Sequence, residues 1–132
     1  MTMRSGAAAV AAARAAIGAR FRLQGRDVGE GLDCVGLAGL AYGVAVPGGY
    51  ALRGGDADAV AMRIAAAGFA RVAEARAGDL LLIAAGPGQL HLAVRTGAGF
   101  VQAHAGFRRV VETPGWPDVP VLGVFRMANA TA

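Results

Sequence analysis

Val35 to Leu52 carries no charged residue, and this run constrains the fold more than any other feature. It approaches the roughly 20 apolar residues that a membrane-spanning helix needs. Gly36, Gly39, Gly43, Pro47, Gly48 and Gly49 all fall inside it, however. A turn at Pro47-Gly48-Gly49 cuts the run and leaves a first part too short to span a bilayer. What remains is a helix that starts near Asp33, a good N-cap, and runs to about Gly43. Each internal glycine costs about 1 kcal/mol relative to alanine. Such a helix persists only where it is tightly packed, with its glycines letting a neighbour approach closely. The chain must build its core around this segment.

The 132 residues suit a single domain spanning 1–132. With 55% apolar and 17% charged residues, a disordered tail is excluded. The opening stretch has an early arginine and many alanines, the outline of a secretory signal. Arg14 interrupts it, and alanine stands where leucine is expected. It reads instead as a helix with Ser5 as N-cap, Val10, Ala13 and Ile17 on one face, and Gly18 at its end. A third helix starts near Asp56 or Asp58, places Val60, Ile64 and Ala67 on one face, and ends at Gly68. Residues 1–70 thus read as helical.

Residues 78–128 read as strands. Gly78-Asp79 opens Leu80 to Ile83; Leu90 to Val94, Phe100 to Gln102, Phe107 to Glu112 and Val119 to Met127 follow, separated by Gly/Pro turns. Helices first and strands second predict an α+β fold, with N-terminal helices packed on a C-terminal antiparallel sheet.

Net charge is +4 and the pI about 10.6. A basic surface suits an anionic partner such as an acidic polymer. The basic residues are all arginine and are spread along the chain, with no recognition helix, so nucleic acid is not an expected partner. One cysteine excludes an intrachain disulfide. Two histidines and one cysteine match no zinc-site spacing, so no metal is expected.

Cys34 falls in the first turn of the predicted second helix. Free N–H groups and the positive end of the helix dipole there stabilise an anion, which can lower a thiol pKa and expose a nucleophile. The same groups could hold an oxyanion. A small buried hydrophobe would fit the position equally well. A nucleophilic thiol needs a base, and His91 lies within an apolar strand, LHLAV, with Leu90 and Leu92 facing the other way. A third group would then orient the imidazole. If Thr96-Gly97 turns the hairpin, His91 lies opposite Gln102. If Gly97-Ala98 turns it, His91 lies opposite His104, with glycine first as a type II′ turn prefers. Both registers keep Gln102 and His104 on the face of His91.

GLDCVGL at 31–37, RAGDLLLI at 76–83, LHLAV at 90–94 and FVQAHAG at 100–106 together resemble the NlpC-like cysteine peptidases. The likeness covers the chain from about residue 15 onward. It is strongest to the small phage-tail cell-wall peptidases, including those of gene transfer agents, whose ends are similar to FRRVVETPGW…VLGVFRM at 107–127.

The resemblance implies a papain-like α+β fold and hydrolysis of amide bonds in peptidoglycan stem peptides, often between γ-D-glutamate and diaminopimelate, without a cofactor. By motif Cys34 matches the nucleophile, His91 the base and Gln102 the third polar residue. Asp33 matches an acid that helps bind the free amino end of a stem peptide, and could equally be only an N-cap. Phe21 stands where a substrate-binding tyrosine is common, Val35 where serine is common, Ala93 where glycine is common, and Gln102 where histidine is more usual. The resemblance further implies tail-tip proteins as partners and a phage-like particle made in the cytoplasm and acting at the periplasmic wall; the broken run at 35–52 already argues for no membrane span. Two alternatives share the fold: an inactive structural module of the tail tip, and a thiol amidase or acyltransferase.

Overall fold

The computed structural model describes residues 5–44 and 55–127. Its centre is the glycine-bearing helix. Helix α1 spans Gly6–Ala15, strands β1 and β2 are Arg26–Asp27 and Gly31–Leu32, and helix α2 is Cys34–Tyr42. Asp33 caps α2, its side chain accepting from the Gly36 amide, and Gly43 ends it in the left-handed conformation at φ 69°. Every α2 residue except Leu40 is buried. Gly36 is required by a close approach: a Cβ there would collide with the carbonyl oxygen of Gly25. Burying Leu37 and the other large side chains, at about 1.5–3 kcal/mol each, offsets the glycines' cost. The Pro47-Gly48-Gly49 turn lies outside the described residues. Among those described, no helix is long and apolar enough to cross a membrane.

Helix α3, Ala57–Ala66, is capped by Asp56 and buries Val60 and Ile64, as its spacing predicts, while Ala67, also placed on that face, is its exposed C-cap. Helix α1 is capped by Ser5, and of its predicted face only Ala13 is fully buried. Ala9, Ala13 and Ala16 point inward, while Ile17 is 45% exposed. Three alanines let α1 pack closely on α2, and that contact outweighs burial of the larger side chains.

Six strands form the sheet: β3 (Phe69–Val72), β4 (Leu80–Gly86), β5 (Gln89–Arg95), β6 (Gly99–His104), β7 (Arg109–Pro114) and β8 (Val121–Met127). Their order is β3-β8-β4-β5-β6-β7, and every neighbouring pair is antiparallel. Leu80, Leu82, Leu92, Val94 and Val101 join the helices in the main core. Leu81, Ile83, Ala93 and Phe100 form a smaller cluster with Val119, Val121 and Val124. The α+β prediction therefore holds, with two corrections. The β1–β2 pair and the first two residues of strand β3 lie within residues 1–70, the stretch read as helical. Residues 105–108 form a turn rather than the start of β7.

The Gly-Asp that opens β4 is structural. The Asp79 carboxylate is 2% exposed and accepts from Arg126 Nε and Nη2, at 2.9 and 2.8 Å, and from the Arg76 amide at 2.7 Å. This ties β4 to β8.

The β5–β6 register follows the Gly97-Ala98 alternative, with Val94 opposite Val101 and Arg95 opposite Phe100. Gly97 does not take the positive φ of a type II′ turn. The Thr96 hydroxyl closes the turn instead, accepting from the Gly99 amide at 2.8 Å. The ladder is only those two pairs long. Beyond Val94 and Val101 the strands part, and α2 packs against both.

Candidate active site

Where β5 and β6 part, a cavity of about 560 Å³ opens beside the first turn of α2. Cys34, Asp33, His91, Gln102 and Phe21 all line it, as do His104, Arg26, Leu23 and Gln24. Residues far apart in sequence are gathered by two devices, the N-cap at Asp33 and the divergence of two strands.

Cys34 is the first residue of α2 and is 6% exposed. Burial pushes its thiol up to about 12. The backbone amides of Leu92, Cys34 and Val35 pull the other way, and the charge of Asp33 adds to the rise. The expectation of a lowered thiol pKa is thus corrected: the helix N-terminus is present, but desolvation outweighs it. The Leu92 amide belongs to the residue following His91, so the sulfur sits against strand β5 at the histidine.

His91 Nε2 lies 2.9 Å from Gln102 Oε1. An amide oxygen only accepts, so Nε2 carries the proton and Nδ1 is left as an acceptor. Burial lowers the His91 pKa, the bond to Gln102 acts in the opposite sense, and His104 lowers it further. At neutral pH the ring is uncharged and can take a proton. Although the register makes His104 the formal partner of His91, Gln102 makes the contact. The strands separate before reaching that pair, and the glutamine side chain reaches diagonally across the gap. His104 turns away, its Nδ1 accepting from the Phe107 amide at 3.1 Å and its ring packed 4.4 Å from that of Phe107.

The sequence reading does not identify two further residues. Gln102 Nε2 donates to the Thr113 hydroxyl at 2.9 Å, which anchors the far end of the amide. Thr113 lies on β7, one step diagonal to Gln102's partner Val111, so only the register reveals it. Arg26 lines the cavity and bonds through Nη1 to Asp33 Oδ1 at 2.9 Å and to the Gly25 carbonyl at 3.0 Å. Asp33 Oδ1 also accepts from the Gly36 amide at 2.8 Å, and Oδ2 from the Gln24 amide at 2.9 Å. Phe21 presents an apolar ring at the cavity wall.

A buried thiol, a neutral imidazole with a free Nδ1 and an amide that holds the ring share one cavity, the groups from which a nucleophile and its base can be built. The fold is of the NlpC/p60 type. Compared with solved structures, the chain is similar to the crystal structure of the NlpC/p60 domain of the peptidoglycan hydrolase SagA, at 29% identity. The likeness covers 83% of this chain and 89% of that one, with a TM-score of 0.60. It supports the resemblance to the NlpC-like family. No protein-family model and no curated protein matches the sequence.

Proposed function

We propose that the protein is a cysteine-type cell-wall peptidase. Its substrate is the peptidoglycan stem peptide, cut at the γ-D-glutamyl-diaminopimelate bond, and it works as part of a phage-like tail. The observation that carries the reading is the shared cavity of Cys34 and His91, with Gln102 holding Nε2 so that Nδ1 is free. The NlpC/p60 likeness supports the substrate class, and the similarity of FRRVVETPGW…VLGVFRM at 107–127 to the ends of phage-tail peptidases supports the tail setting.

With the thiol raised to about 12 and the imidazole lowered, the resting pair is neutral. The proton therefore leaves sulfur as attack proceeds rather than beforehand. His91 Nδ1 takes it while the sulfur bonds to the amide carbon. The backbone N–H of Cys34 faces the developing oxyanion. The protonated Nδ1 then donates to the leaving amine, which departs and leaves a thioester on Cys34. His91 next removes a proton from water, and hydrolysis frees the acid and restores the thiol. Net positive charge favours approach to an anionic wall, an effect that added salt weakens.

Digestion of purified Gram-negative sacculi, with muropeptides read by mass spectrometry, tests this. The wild type should release fragments ending at γ-D-glutamate and Cys34→Ala should release none. The buried, high-pKa thiol is the observation that favours the alternative, a tail-tip module without turnover. Absence of release by folded wild type, alone and with tail proteins added, would support that alternative.

A further inference from the structure

Arg26 is held in an unusual state for a cavity residue. Both protons of its Nη1 are committed, one to Asp33 Oδ1 and one to the Gly25 carbonyl, so the plane of the guanidinium is fixed. Its Nε and Nη2 have no protein partner among the described residues. Those two atoms form the edge that pairs with a carboxylate through two parallel hydrogen bonds. The side chain keeps 32% of its surface exposed, while that of Asp33 keeps 13%. Asp33 already receives the Gly36 and Gln24 amides as well as Arg26, so its charge is met within the protein. A ligand entering this part of the cavity meets an unfilled cationic fork and not a free anion.

We propose that Arg26 is a specificity-determining residue whose Nε–Nη2 edge binds a carboxylate of the substrate's acyl portion, next to the scissile amide. The substrate class is a γ-linked glutamyl amide with its α-carboxylate free, in preference to the same amide with an α-carboxamide. This rests on the peptidase reading and deepens it. Asp33, rather than receiving an ammonium group, serves to hold the guanidinium in place. Because Arg26 and Cys34 line the same cavity, a carboxylate bound there would share that space with the attacking sulfur. That proximity makes the contact a positional filter on which amide is presented.

The test uses two synthetic γ-D-glutamyl amides, one with a free α-carboxylate and one with an α-carboxamide. Hydrolysis is measured with the wild type, Arg26→Gln and Arg26→Lys, and binding by NMR titration of the full-length Cys34→Ala chain with and without Arg26→Gln. The wild type should favour the carboxylate form roughly 10- to 100-fold in kcat/KM, the usual worth of hydrogen bonds to a charged group. The difference should lie mainly in KM. Arg26→Gln should bring the ratio to near unity, and Arg26→Lys, which keeps charge but loses the fork, should be intermediate. Equal use of both amides by active wild type overturns the inference and leaves the peptidase reading standing. So does a preference that survives Arg26→Gln. If neither amide is cleaved but Cys34→Ala binds the carboxylate form through Arg26, the peptidase reading falls and the carboxylate site stands. If neither is cleaved or bound, the inference falls as well. Should Arg26→Gln not fold, the wild-type ratio together with Arg26→Lys decides.

Discussion

Two arginine–aspartate pairs do opposite things in this molecule. At Asp79 the partner is Arg126, which spends its Nε–Nη2 edge on the carboxylate, with Asp79 2% exposed. At Asp33 the partner is Arg26, a residue that lines the cavity, which uses only Nη1 and leaves the same edge without a protein partner among the described residues. The first pair is closed and ties two strands together. The second is open and borders the candidate nucleophile. The difference shows why residue type alone does not separate structure from function: what decides is which edge of the guanidinium is used up and what space the other edge faces.

The contrast makes its largest prediction in stability. Arg126→Met leaves Asp79 buried without its cation, and removing one partner of a buried pair costs about 3–5 kcal/mol. Arg26→Met removes one charged hydrogen bond from Asp33, which keeps the Gly36 and Gln24 amides, and should cost less, about 1.5–3 kcal/mol. Denaturant unfolding of the two variants checks this, and equal losses would erase the distinction between the pairs.

Thr113→Val tests the strand side of the site. It leaves Gln102 Nε2 unpaired and frees the amide to rotate away from His91. We expect about a tenfold lower kcat, equivalent to one hydrogen bond of about 1.4 kcal/mol, with KM and melting temperature little changed. Thr113→Ser should recover most of the rate. A loss in KM alone would place Thr113 in substrate binding instead.

Smaller effects follow from pH. Gln102→Glu places a carboxylate against Nε2 and raises the His91 pKa, so the acid limb of the rate profile should move to higher pH than in the wild type. Stability responds to the same histidine. Its folded pKa lies below the usual imidazole value of 6.5, so its contribution is present above pH 6.5 and is lost as pH falls through the folded pKa. Cys34 acts at the other end. Its folded pKa is raised from 9.0 to about 12, so its contribution is present below pH 9 and is lost as pH rises through that interval. Urea unfolding across pH should show Cys34→Ala flatter than the wild type above pH 9.

Much of this was legible in the sequence because it is locally encoded. Asp33 and Gly43 bracket α2 through capping chemistry that needs only near neighbours. Alternation along β5 and β6 put His91, Gln102 and His104 on one face. The contact between His91 and Gln102 was not legible, because it depends on two strands parting after two residue pairs. Strand β3 has one buried residue in four, and its partner β8 lies some fifty residues away, so neither periodicity nor proximity marks it. The depth of Cys34 was likewise hidden. Sequence shows the helix terminus that lowers a thiol pKa, while the burial that raises it comes from packing of distant segments. Arg26 carried no motif at all, and its significance lies in which nitrogens remain unbonded.

The account turns on Cys34 acting as the nucleophile, and intact-mass analysis of the acid-quenched protein during turnover of a γ-D-glutamyl stem peptide tests that most directly. The account predicts a γ-glutamyl acyl adduct on Cys34 in the wild type and none in Cys34→Ala. Cleavage that proceeds equally in Cys34→Ala, or a folded wild type that neither cleaves the peptide nor acquires the adduct, would contradict it.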